Sequence, residues 1–381
     1  GSGHFFSSHS HPEGGMTNSG NQAASSDGNS ISEDPATRAF IGALIADAVA
    51  MPVHWYYDQA ALDRDYPKLE AAAAETAGCS PYFAPRNPHP GSILWRSQWT
   101  APSPQFDILR EQAAFWGQHG IHYHQFLAAG ENTLNDRLAV ELFMLVRRDG
   151  SYEPERWLDR YVTLMLEAGW HRDTYVEEYH RHFFTNLAAG RKPINCGVSD
   201  VHIGGLVPVP ALVAALGPRH PDLRQIVRQH VALTHKDSDV LAAADALVKI
   251  LQDTLPRAAA APRLPAEAGA ALREAILEHG GDWISAAKLA AWERLSDRQL
   301  VGGKLSSACY IDEAFPASLA LAWRHAGNFT AGVVANARCG GDNCHRGAVV
   351  GSLLAAAGPI PSDWLTGLEA CDRFFDPRST I

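Results

Sequence analysis

The chain has 381 residues, 46% of them hydrophobic and 19% charged, with a formal net charge of -10. That is enough apolar residue to build a full core, as two or three domains or as one large one. With no Lys/Arg run to offset the acidity, a nucleic-acid backbone is excluded as an expected partner. The six cysteines are scattered along a long sequence, which suits free thiols in a reducing, cytoplasmic compartment better than a disulfide framework. No apolar stretch is read as reaching the roughly 18 residues of a membrane span, so a soluble protein with no membrane partner is expected.

Residues 1–35 are rich in Ser, Gly, Asn and His and nearly free of apolar side chains. Such a segment cannot bury enough surface to offset its ordering entropy, and a flexible tail is expected, with the part before Met16 read as an appended segment. From residue 36 to 381 the pattern is that of a single helical domain. Leu134, Leu138, Leu142 and Leu145 recur at three- and four-residue steps up to Gly150, and Trp157, Tyr161, Met165 and Leu166 do the same before Gly169. Val207 to Leu216, Val240 to Leu251, Trp283 to Trp292 and Ala314 to Trp323 continue the theme. An Ala/Pro-rich stretch, Asp253 to Gly269, reads as an exposed connection. With no convincing period-two run, the predicted fold class is all-α.

Chemistry concentrates near the carboxyl end, in the run ANARCGGDNCHRGAVVGSLLAAAG. Two glycines permit a tight turn and close backbone approach, and the residues after them are small, apolar and helix-forming. If the helix includes residues 342 to 345, Asp342 and His345 lie three apart on one side, so the carboxylate can orient and charge the imidazole. Cys344 points elsewhere. The plainer reading makes Asp342 a helix cap and Cys344 core filler. Thr133 and Asp136 have capping-box spacing at the start of an obvious helix, and Thr234 and Asp237 repeat it, with His235 between them as a packed loop histidine. Asp47 sits alone in an apolar run and must be paired or hydrogen-bonded. Cys339, Cys344 and His345 lack the second Cys/His cluster that a zinc site requires.

Four ordered stretches carry a family resemblance: GALIADAVAMPVHWYYD, GENTLNDRLAVEL, ALTHKDSDVLAAADAL, and CYIDEAFPASLALAW with the GGDNCHRGAVVGSLLAAAG run. Together they resemble the ADP-ribosylglycohydrolase family from about residue 36 to the end. The resemblance implies an orthogonally packed all-α fold, cleavage of a glycosidic bond between ADP-ribose and an acceptor, and two magnesium ions in a central cleft. It places a diphosphate-binding glycine loop at NCGVSDVHIGG, with Gly204 and Gly205 as substrate contacts. The metal motifs depart from the family's Thr-Asp-Asp-Thr and Gly-Gly-Asp-Thr-Asp-Thr. Here Leu134 and Cys344 stand where carboxylates are usual, Asn135 replaces an aspartate, and Thr133 and Asp342 are kept, with Asp136 one position further on.

Magnesium is poorly served by nitrogen and sulfur donors. At most one ion is therefore expected, on Thr133, Asp136 and Asp342. The catalytic candidates are Asp342, His345 and Asn135, and Asn343 and Cys344 are further substrate contacts. The expected function is hydrolysis of a ribosyl N- or O-glycosidic bond in an ADP-ribose-like or nucleoside-like substrate. The alternatives are a non-catalytic ADP-ribose binder and an ordinary magnesium-dependent hydrolase.

Overall fold

A computed structural model describes residues 34–69, 80–256 and 264–375. The expected tail lies outside the described residues except for Asp34 and Pro35. In chain order the α-helices are α1 (Pro35–Ala50), α2 (Gln59–Asp65), α3 (Leu134–Asp149), α4 (Pro154–Leu166), α5 (Glu178–Ala188), α6 (Pro208–Leu216) and α7 (Leu223–Val231). They continue as α8 (Ser238–Thr254), α9 (Pro265–His279), α10 (Ala286–Trp292), α11 (Asp297–Leu300), α12 (Ile311–Arg324), α13 (Phe329–Arg338) and α14 (Asn343–Ala356). Among the described residues there is no strand, and only isolated bridges such as Val198–His235 and His202–Tyr310 tie loops together. The fold is all-α, as the periodicity predicts.

α1 is the axis of the core. Asp34 caps it by accepting the Ala36 N–H at 3.3 Å and the Thr37 hydroxyl at 2.6 Å, and Pro35 supplies a pre-set first turn. The run Pro35–Val53 reaches 19 residues and is apolar enough to cross a membrane, which corrects the expectation that no such stretch exists. Its residues are 94% buried inside the molecule, as in the core helix of a globule. α14 is buried throughout and packs along α1. Close approach is possible because Gly42 and Gly351 face each other, and a Cβ on either would collide with the backbone oxygen of the other.

This pairing decides where the site lies. It sets the carboxyl end of α1 beside the start of α14, and α3 begins next to both. The Ala/Pro-rich stretch is less of a connection than expected, since α8 runs to Thr254 and α9 begins at Pro265.

Candidate active site

The Gly340–Gly341 turn is held between two strands of backbone. Both residues have positive φ, 71° and 63°, and a side chain on them would strike the carbonyl oxygens of Tyr56 and Ser307. Gly341 N–H donates to the Tyr56 carbonyl, Trp55 N–H to the Gly341 carbonyl and Asp342 N–H to the Ser307 carbonyl, each at 2.8 Å. The buried Arg346 guanidinium donates to the Gly340 carbonyl and, through Nε, to Asn336 Oδ1. The turn therefore fixes Asp342 at the foot of α14, facing the segment that follows α1.

Asp342 is the hub of the site. It stands at the N-cap position but makes no capping bond; its 1% exposed carboxylate meets His54 Nε2 at 2.7 Å and His345 Nδ1 at 2.8 Å. Burial pushes its pKa up, but the adjoining His345, His54 and His202 outweigh this and hold it well below the usual carboxylate range. His345 is lowered by burial and raised more by Asp342, for a net rise. The i, i+3 pair is thus formed in the structure. For His54, burial dominates over Asp342 and the pKa falls well below normal.

Two chains of polar groups lead away from the hub. Behind His54, its Nδ1 meets His124 Nε2 at 2.7 Å, and His124 Nδ1 meets Asp173 at 2.6 Å. Asp173 also accepts the Leu134 N–H at 2.7 Å, at the amino end of α3, a position that favours a carboxylate. Behind His345, Nε2 lies 2.8 Å from the Asn135 amide nitrogen, and Asn135 Oδ1 lies 2.7 Å from His180 Nε2. His180 then meets the Tyr161 hydroxyl at 2.5 Å, and Asn135 also donates to the Tyr179 hydroxyl. Burial lowers His180 to about 3, so it is a neutral member of this network.

The more open side carries Glu177 and His202. Glu177 is 3.4 Å from His202 Nε2 and 3.8 Å from His345 Nε2, while His202 Nε2 is 3.7 Å from Asp342. His202 Nδ1 accepts the Gly204 N–H at 2.8 Å, so its proton sits on Nε2 and points at the two carboxylates. Trp55, held at a φ of 60°, stacks on His54 with centroids 3.7 Å apart.

Several expected assignments change. Thr133 does not cap its own helix; its hydroxyl donates to Asp47 at 2.7 Å, and Asp47 also receives the Thr133 and Asn132 N–H groups. That answers the need for Asp47 to be paired. The second capping box fails because Asp237 itself caps α8. His235 is buried against Tyr179, as a packed loop histidine would be.

Gly204 and Gly205 line a small cavity with Asn135, Tyr161, Tyr179 and His235. The Gly204 and Gly205 amides are occupied by His202, and their Cα faces are pressed onto Tyr179 and His235. Asn343 donates to the Val53 and Ala337 carbonyls at 3.2 and 3.0 Å, and Cys344 lies against the Asp47 carbonyl at 3.6 Å, both wholly buried. They tie α14 to α1 and have no open face for a ligand.

A magnesium cage does not fit these residues. Thr133 is turned to Asp47, and Asp342 is held by imidazoles. Burial first, then the Asp47 charge, pushes Asp136 well above the ordinary carboxylate range, so it is a neutral carboxyl with one oxygen unpartnered. Every group of three or more convergent donors among the described residues contains at least one histidine. Such sets do not provide the all-oxygen octahedron that magnesium demands.

The helical globule encloses a buried carboxylate–imidazole centre, built where several segments far apart in the chain meet. Residues 29–378 match the family model described as ADP-ribosylglycohydrolase, and the chain belongs to that family. A solved ADP-ribosylglycohydrolase-related protein complex has the same fold, with a TM-score of 0.54 at 21% identity over 89% of this chain and 94% of that one. No curated protein matches the chain. Glycosyl hydrolase activity on an ADP-ribose-type substrate is what this membership indicates.

Of the residues brought together here, the sequence singles out Asp342, His345 and Asn135 but not His54, His124, Asp173, Glu177 and His202. The only local signals were the His-x-His at 122–124 and a histidine in the first family stretch.

Proposed function

We propose that the chain hydrolyses a ribosyl N- or O-glycosidic bond of an ADP-ribose-like or nucleoside-like substrate without the two magnesium ions usual in its family. One observation carries this reading: Asp342, at the family's late metal-binding loop, is bonded by two imidazoles, with Glu177 and His202 on the more open side. Cleavage through an oxocarbenium-like state requires water at the ribosyl carbon and a proton for the departing group. Glu177 accepts the proton of the attacking water as the new C–O bond forms. His345, charged by Asp342, gives its Nε2 proton to the leaving atom as the glycosidic bond breaks. Glu177 then returns its proton directly to His345 Nε2, 3.8 Å away, as the two side chains close on each other, which completes the cycle. His202 orients Glu177, and Asn135 positions His345, since an amide can accept from the charged imidazole or, turned over, donate to the neutral one.

The complete burial of Asp342 and His345 supports a second reading, a binder of ADP-ribose that does no chemistry. Turnover of ADP-ribosyl and nucleoside substrates, measured beside their binding by calorimetry, separates the two. Release of ribose-containing product that falls with Glu177→Gln supports the hydrolase. Tight binding with no product from any substrate supports the binder.

A further inference from the structure

The chain of groups from Asp173 to Asp342 needs one proton or cation more than two neutral histidines supply. Its three contacts are Asp173 to His124 Nδ1 at 2.6 Å, His124 Nε2 to His54 Nδ1 at 2.7 Å, and His54 Nε2 to Asp342 at 2.7 Å. Each needs one hydrogen or one ion between its heavy atoms, and two neutral imidazoles carry only two hydrogens. Asp173 takes the Leu134 N–H at the head of α3, which favours the carboxylate and puts the first hydrogen on His124 Nδ1. The second then lies on His54 Nδ1, directed at His124 Nε2. His54 Nε2 is left as a bare lone pair aimed at a carboxylate.

A carboxylate–histidine support that fixes the tautomer of a second imidazole is how proteins aim a metal ligand. His345 Nδ1 meets the same carboxylate at 2.8 Å, and the donor atoms of His54, Asp342 and His345 all lie within 4.8 Å of one another. We propose that His54 Nε2, the Asp342 carboxylate and His345 Nδ1 bind one divalent ion of the zinc type. Two imidazoles and one carboxylate suit zinc, cobalt or ferrous iron and serve magnesium poorly. Three protein ligands with a position left open is the pattern of catalytic zinc sites. Metal–ligand bonds of about 2.0–2.2 Å put neighbouring donors about 3.3 Å apart, so the two imidazole–carboxylate contacts, at 2.7 and 2.8 Å, would open by about half an ångström.

The other donor sets are weaker. In the His54–His124–Cys344 group the two imidazoles are spent on each other, and Cys344 faces the Asp47 carbonyl, its thiol pushed well above its ordinary pKa first by burial and then by Asp47. In the His202–Cys309–Asp342 group, His202 keeps its proton on Nε2 because Nδ1 accepts from Gly204. Asp253, Glu278 and His279 form a group far more open to solvent. The proposal rests on the proposed hydrolase reading and deepens it: with the ion on Nδ1, His345 keeps its Nε2 proton for the leaving atom, and the ion takes the place of the Nδ1 proton beside Asp342.

The test uses the full chain, stripped with chelator and titrated with cobalt and zinc. Calorimetry should show one ion per chain, and bound cobalt should develop visible ligand-field absorption. Magnesium in millimolar excess should not displace it. His54→Gln and His345→Gln should each weaken the ion at least about tenfold, and Asp173→Asn, which touches no ion, by about 10–100-fold as outer partners of ligating histidines do. Melting curves verify that each variant is folded. An ion that fails to bind, or that binds equally well in folded His54→Gln and Asp173→Asn, overturns the proposal; in the first case a proton fills the gap. Because binding is read without substrate, an ion held in a protein that turns nothing over refutes the hydrolase reading alone.

Discussion

Replacing Asp342 with asparagine separates chemistry from architecture at this site. The carboxylate accepts from His345 Nδ1 at 2.8 Å, a hydrogen bond to a charged group that contributes about 1.5–3 kcal/mol, and lies 2.7 Å from the His54 Nε2 lone pair. Asparagine keeps both contacts in neutral form, since its oxygen accepts from His345 and its amide donates to the lone pair on His54 Nε2. The His345 contact changes from charged to neutral while the His54 contact gains a donor, so the cost in stability should be at most about 1–3 kcal/mol. Turnover responds to the charge itself, because His345 loses the partner that raises its pKa.

A fall of about 10²–10⁴-fold is expected, equivalent to about 2.7–5.4 kcal/mol of barrier. Single-turnover kinetics on an ADP-ribosyl substrate, beside calorimetric binding of ADP-ribose and a melting curve, reads all three quantities. Turnover within a few-fold of the natural chain would refute the role given to the Asp342–His345 pair. An equal loss of binding and turnover would show that Asp342 holds substrate instead.

Other changes test the neighbouring groups. Glu177→Gln should reduce turnover by about 10²–10⁴-fold while ADP-ribose binding changes little, read by the same two assays. Cys344→Asp adds a third carboxyl beside Asp47 and Asp136 in the core, and an uncompensated buried charge costs about 3–5 kcal/mol, so a clearly lower melting temperature is expected unless a cation is added. Asp136 titrates above its ordinary 3.8 when folded, so its contribution to stability is complete below that pH and is lost as pH rises toward the raised folded value. Asp136→Asn should therefore flatten the decline of melting temperature from about pH 4 upward. Gly341→Ala forces a side chain onto a φ of 63° against Ser307, and a loss of at least about 1–2 kcal/mol should appear in denaturant unfolding.

How much of this was legible in the sequence depends on distance along the chain. α3, α4 and α8 were readable because their apolar residues keep the helical period, and the i, i+3 relation of Asp342 and His345 is a property of one helix. The hub's other half is not local. His54 reaches Asp342 from 288 positions away and His124 from 70 positions beyond His54, so neither spacing leaves a pattern. Buried histidines also look like core filler in one dimension, as His235 proves to be. At Thr133 and Gly204 the structure differs from the local pattern for the opposite reason. Each matches a local motif, but a stronger partner, the Asp47 carboxylate or the His202 imidazole, claims the same polar group.

The central claim is that a histidine–carboxylate centre does here what two magnesium ions do elsewhere in the family. Calorimetric titration of ADP-ribose into the chelator-stripped chain, with and without millimolar magnesium, tests it most directly. The account predicts the same affinity in both conditions, because the nitrogen-rich donors around Asp342 give magnesium no cage. Binding that appears only with magnesium, or tightens tenfold or more when it is added, would contradict it.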